Sequence, residues 1–160
     1  MHGLIAAPEL PDEPTADQID AWLTVNKMLA DGRLQRLLRA QAIDTGRTIG
    51  CLKVRDDLDA WRARQDAIMD QVRSAMRQEM PVGSAEGQRL ADAYIAFMAW
   101  NRGEPDGEAF RASIRDMWLE NGLIERFWDH VSVLNGQRRN NSPEYEWLST
   151  ATALRLQTGR

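Results

Sequence analysis

The chain has 160 residues, 43% of them hydrophobic and 28% charged, which suits a soluble globular domain that needs neither disulfide nor metal to fold. A net charge of −4 argues against a primary nucleic-acid binder, and the short apolar runs exclude a membrane-spanning segment. One cysteine, Cys51, excludes an internal disulfide and a zinc knuckle and points to the reducing cytoplasm.

The start, Met1-His2-Gly3-Leu4-Ile5, lacks the basic and apolar stretches of a signal peptide. Pro8, Pro11 and Pro14 alternate with Glu9, Asp12 and Glu13, so residues 1–13 read as a flexible tail. Order is expected from Thr15, where Thr15-Ala16-Asp17-Gln18 has the pattern of a capping box. Ile19, Trp22, Leu23, Asn26 and Leu29 follow at helical spacing, and Asp31-Gly32 breaks that helix. A second helix carries Leu34, Leu37 and Leu38 and is expected to end near Gly46. Thr48 to Val54 reads as a connection or an extra helical turn, since no partner strand is evident. The third helix is predicted from about Arg55 to Met80, with Leu58, Trp61, Gln65, Ile68, Val72 and Ala75 on one stripe. Pro81 and Gly83 stop it.

Ser84 can cap a fourth helix whose stripe is Leu90, Tyr94, Phe97, Met98 and Asn101, with Gly103 as its stop. A fifth helix after Pro105-Asp106-Gly107 carries Phe110, Ile114, Met117 and Trp118 and stops at Asn121-Gly122. The sixth carries Ile124, Phe127, Trp128, Val131 and Leu134 and ends at Asn135-Gly136. Gln137 to Asn141 is polar and basic, and Ser142-Pro143 opens a seventh helix with Trp147, Leu148, Ala151 and Leu154 on one stripe. The expected fold is all-α: a single compact domain of about seven helices.

Enzyme signatures are absent from the sequence. Of two histidines, His2 lies in the tail and His130 adjoins Asp129, and neighbours on a helix point about 100° apart rather than at each other. No metal-binding histidine pair, phosphate loop or nucleophile elbow occurs. Lys53 and Arg55 could activate Cys51, but no base marks it as a nucleophile. The first two helices superficially suggest a helix-turn-helix with Arg33, Arg36 and Arg39 toward phosphate, which the acidic balance disfavours. No catalytic residue, metal ligand or cofactor is expected.

Six of the eleven aromatic residues are Trp, and there are seven Met. These residue types either fill an irregular core or wall an apolar pocket. Trp100 falls off the stripe of its helix, and Trp118 sits at the edge of its own. Edge aromatics on neighbouring helices suit a cleft that stacks a planar ligand. The candidate ligand-binding residues are Trp22, Trp61, Tyr94, Phe97, Met98, Met117, Trp118, Phe127, Trp128 and Val131.

Three segments carry a family resemblance: Pro14-Thr15-Ala16-Asp17-Gln18-Ile19-Asp20-Ala21-Trp22, the run from Arg126-Phe127-Trp128 to Leu134-Asn135-Gly136, and Ser142-Pro143-Glu144-Tyr145-Glu146-Trp147-Leu148. They resemble the TipAS-like antibiotic-recognition domain, the effector-binding region of MerR-family transcriptional regulators, over roughly Pro14 to Leu154, which sets the expected ligand-binding domain at 14–157. The resemblance implies a globin-like helical domain that takes bulky, largely apolar antibiotics. The winged-helix DNA-binding half and dimerising helix of the full regulators have no counterpart in this sequence, and relatives made without that half sequester drug. Where many relatives continue with Trp-Pro after the Asn-Gly pair, this chain has Gln137-Arg138-Arg139. The family's thiopeptide chemistry uses a cysteine, which no motif equates with Cys51. The expected function is therefore non-enzymatic capture of a small-molecule drug or antibiotic, in a resistance or sequestration role, by a cytoplasmic monomer without specific nucleic acid or membrane. The alternatives are an isolated effector domain of a transcription regulator and a helical interaction module without ligand.

Overall fold

The computed structural model describes residues 8–55, 57–137 and 142–158. Among the described residues there are seven α-helices and no strand: α1 (Ala16–Leu29), α2 (Gly32–Arg55), α3 (Leu58–Arg77), α4 (Ala85–Arg102), α5 (Glu108–Leu119), α6 (Asn121–Leu134) and α7 (Pro143–Thr158). The all-α expectation and the helix count hold. Residues 8–14 carry no regular element, and the first seven residues of the expected tail lie outside the described residues. So do Arg138 to Asn141 of the basic segment. Two compact units result, Met1–Ala42 with Glu120–Asn140, and Ile43–Leu119 with Asn141–Arg160.

In the first unit α1 packs on α6. The Gln18 backbone N–H donates to Thr15 Oγ1 at 3.3 Å and the Thr15 N–H to Gln18 Oε1 at 2.9 Å, so the capping box forms. The same Gln18 donates through Nε2 to the Leu134 carbonyl at 3.1 Å, satisfying an orphan acceptor at the end of α6. That bond turns the face bearing Gln18, Ala21 and Val25 inward, one residue out of phase with the predicted stripe. Ala21 and Val25 are buried, whereas Ile19, Leu23 (55% exposed) and Asn26 face solvent. Asp31 caps α2 by accepting the Arg33 N–H at 2.8 Å, and Leu34, Leu37 and Leu38 are buried as expected. Arg33 pairs with Glu120 at 2.7 Å.

In the second unit α4 packs against α3 and α7, and α7 against α3 and α5. One apolar cluster joins Ile68, Val72, Ala75, Leu90, Phe97 and Leu148; another joins Ile95, Ala99, Phe110, Ile114, Trp118 and Leu156. Tyr94 touches both. Ser84 caps α4 with its hydroxyl accepting the Gly87 N–H at 3.1 Å, and Gly103 closes it in the left-handed region at φ 68°. Ser142 caps α7 by accepting the Tyr145 N–H at 3.2 Å. Asp92 holds α4, α5 and α7 together, accepting from Arg111 at 2.7 Å and from Arg155 at 2.9 and 3.0 Å. Burial works to raise the Asp92 pKa, but the hydrogen bonds from Arg155 and Arg111 outweigh it and the net shift is downward.

Two boundaries differ from expectation. The helix expected to end near Gly46 runs for 24 residues to Arg55, absorbing the Thr48–Val54 connection. Neither Gly46 nor Gly50 takes the positive φ of a helix-ending glycine, and an interior glycine costs only about 1 kcal/mol relative to alanine. Its second half is tied to α4: Asp44 pairs with Arg102, and the Cys51 thiol donates to the Arg102 carbonyl at 3.3 Å. Asn121-Gly122, expected to stop α5, instead occupies the first turn of α6.

Candidate functional site

The second unit contains a cavity of about 230 Å³. Its walls follow from helical periodicity: α3 presents Trp61, Gln65 and Ile68 on one face, and α4 presents Tyr94, Phe97 and Asn101 on one face. Thr48 from α2, Met69 from α3 and Tyr145 from α7 complete the lining. The aromatic wall is continuous. Trp61 and Tyr94 lie 6.2 and 6.1 Å from Phe97, and Trp100 stacks on the Phe97 ring at 6.3 Å with 20° between planes. The Arg64 guanidinium sits 4.5 Å over the Trp100 ring.

The polar content of this wall is unusual. Trp61 Nε1, Gln65 Oε1 and Asn101 Oδ1 are all buried without a protein hydrogen-bond partner, and all belong to residues lining the cavity. Asn101 is only 8% exposed. An unmet buried polar group costs about 1–3 kcal/mol, so native proteins keep few of them. The Trp147 indole donates to the Met80 carbonyl at 3.3 Å, whereas that of Trp118, away from the cavity, is buried without a protein partner as well. The Tyr94 hydroxyl is bonded to that of Tyr145, and burial is the main cause that pushes its pKa above the usual phenol range. Among the described residues lining the cavity, none is acidic or basic. No cluster of metal-ligating side chains occurs among the described residues.

Of the residues expected to bind ligand, the structure brings together Trp61, Tyr94 and Phe97 at this cavity. Met98, Met117 and Trp118 pack together behind Tyr94, with the Trp118 ring meeting Tyr94 edge-on at 5.9 Å. Trp118, expected at a stripe edge, is therefore core. Trp22, Phe127, Trp128 and Val131 belong to the first unit and do not line the cavity. Phe127 is buried there, while Trp128, placed on the same helical stripe, is 37% exposed and donates through Nε1 to Gln41 at 3.1 Å. Cys51 is half-buried, and the Lys53 and Arg55 side chains proposed to activate it lie outside the described residues. Sequence reasoning missed Thr48, Gln65, Ile68, Met69, Asn101 and Tyr145 as lining residues. Two of them carried a signal, because Gln65 and Asn101 are amides on otherwise apolar stripes.

No family model matches the chain, and neither does any curated protein or solved structure.

Proposed function

We propose that the chain is a non-enzymatic small-molecule binder that captures an aromatic drug or antibiotic in the cavity between α3 and α4. The observation that carries this is a cavity of about 230 Å³ walled by the rings of Trp61, Tyr94 and Phe97 and lined otherwise by apolar and uncharged polar side chains. The resemblance of the Arg126–Gly136 and Ser142–Leu148 segments to TipAS-like domains supports an antibiotic as ligand and sequestration, by a cytoplasmic monomer, as the role.

Size refines the expectation of a bulky ligand. An apolar cavity of about 150 Å³ holds benzene, so one of about 230 Å³ takes one or two rings. A larger antibiotic seats that part of itself here, against Trp61 and Phe97. A thermal-shift screen against structurally diverse antibiotics tests the proposal. At a hundredfold excess over Kd a ligand adds about 2.7 kcal/mol, which raises the midpoint of a chain this long by about 5–10 °C. A true ligand also changes tryptophan emission, because Trp61 lines the cavity. A broad panel that moves neither midpoint nor emission refutes capture at this site.

A further inference from the structure

The second half of α2 carries the features of a segment that opens by itself. From Ile43 to Cys51 no residue is buried, and only Asp44, Thr48 and Cys51 are even half-buried. These three recur at helical spacing and form the one inward face of the segment. That face is a carboxylate, a hydroxyl and a thiol, while Ile43 and Ile49 stand 59% and 47% exposed. Lifting such a face uncovers little apolar surface, so the hydrophobic effect holds it weakly. Among the described residues, α2 takes no part in the close helix-on-helix packing that engages each of the other six helices. Local propensity is low as well: from Ile43 to Cys51 only Arg47 is a strong helix former, and Gly46 and Gly50 are the weakest short of proline.

Two polar ties hold the inward face, and both end on Arg102, the last residue of α4. Asp44 pairs with its guanidinium, and the Cys51 thiol donates to its carbonyl at 3.3 Å. Thr48, between them on the same face, lines the cavity, and so does Asn101, the residue before Arg102. The ties and the cavity are therefore adjacent, and all of these residues belong to the second unit. Release of both ties takes Thr48 off the cavity. Arg102 stays with the scaffold, its guanidinium 5.1 Å over the Phe110 ring.

We propose that Ile43–Cys51 is a lid on the cavity, latched at Arg102, which opens by local unfolding while α3, α4 and α7 stay folded, and that ligand enters through this opening. The entry step rests on the capture function above; the opening does not. Hydrogen exchange read by mass spectrometry tests the opening on the full chain. Corrected for intrinsic rates, the amides of 45–51 should exchange at least about a hundredfold faster than those of 90–101 in α4. Gly46→Ala combined with Gly50→Ala strengthens the closed helix without a new contact, because a Cβ at either position meets nothing within 4 Å and neither glycine has a positive φ. Each replacement is worth about fivefold in the closing equilibrium, so the double variant should slow exchange of 45–51 by about twentyfold. Stopped-flow mixing with naphthalene, followed by tryptophan emission, tests entry. In the double variant association and dissociation should both slow by about that factor with Kd unchanged, as a gate requires and a lost contact does not. Equal exchange in 45–51 and 90–101, or exchange of 45–51 unmoved by the two alanines, overturns the lid. Naphthalene association unchanged in the variant overturns its role in entry. If naphthalene and the antibiotic panel all fail to bind, the capture function fails and the entry step with it, while the exchange result still decides the opening.

Discussion

Replacing Asn101 with leucine separates a binding amide from a structural one. Asn101 lies in the last turn of α4, is 8% exposed, and leaves Oδ1 without a protein partner. Leucine has nearly the same volume and no polar atom, so the change removes an unmet acceptor that costs about 1–3 kcal/mol. It also gains a few tenths of a kcal/mol, about 0.3–0.5, in helix propensity. The variant should therefore be more stable by about 1–3 kcal/mol. At about 2–4 °C per kcal/mol for a chain of this length, scanning calorimetry should show a clear rise in midpoint. Ligand affinity should fall in the same protein, the opposed movement expected where a site is held ready at the expense of stability. A midpoint that drops on Asn101→Leu refutes this reasoning, because it shows the amide to be holding the fold.

Three further changes probe the scaffold. Gly87→Ala reverses the usual helix gain of about 1 kcal/mol: a Cβ there would run into the Val82 carbonyl, which is backbone and cannot swing aside, so urea denaturation should show a loss of about 1–3 kcal/mol. Glu79 holds φ at 53°, a left-handed conformation costly for a residue with a Cβ, and Glu79→Gly should raise the urea midpoint by an amount equivalent to about 1 kcal/mol. Asp92 has a folded-state pKa below its ordinary value of 3.8, so its arginine contacts stabilise the protein at neutral pH and that contribution is lost as pH falls below the ordinary value and through the folded one. Its partial exposure keeps the effect modest. Asp92→Asn should flatten the fall in stability as pH drops below about 4, and an unchanged slope would show that the arginine pairs add nothing.

What was legible in the sequence was what a few neighbouring residues decide. Thr15, Ser84 and Ser142 cap their helices, and Gly103 ends α4, because each act involves atoms within about four positions. Misreadings arose where apolar residues surround a helix. On α1 the large side chains Ile19 and Leu23 drew the stripe, yet Gln18 bonding to Leu134, 116 residues away, turned the helix to bury the smaller Ala21 and Val25. Trp128 and Trp118 exchanged roles for the same reason. The partner that satisfies the Trp128 indole, Gln41, is 87 residues distant, and the cluster that swallows Trp118 is assembled from three helices. At the candidate site Gln65 and Asn101 were visible as amides on core stripes. That the two stripes meet across one cavity depends on how α3 and α4 are rotated, which neither stripe encodes alone.

The order in which the segments join each unit bears on how the protein emerges from a ribosome. The first unit is begun by Met1–Ala42 and completed by Glu120–Asn140, while the second is begun inside that gap and completed after it. A chain released at any point before α6 leaves Ala21 and Val25 of α1 with part of their cover missing. One released before α7 leaves Leu90 and Phe97 without Leu148, and the cavity without Tyr145. Neither unit can therefore finish while most of the other is still unmade, and both must wait for contacts between residues far apart in the chain, which slows folding. The long α2, whose first half serves one unit and whose second half serves the other, makes any cut between them a cut through a helix. Nature and the laboratory alike would find this chain hard to shorten from its C-terminus, and fusion partners belong at its ends rather than between its halves.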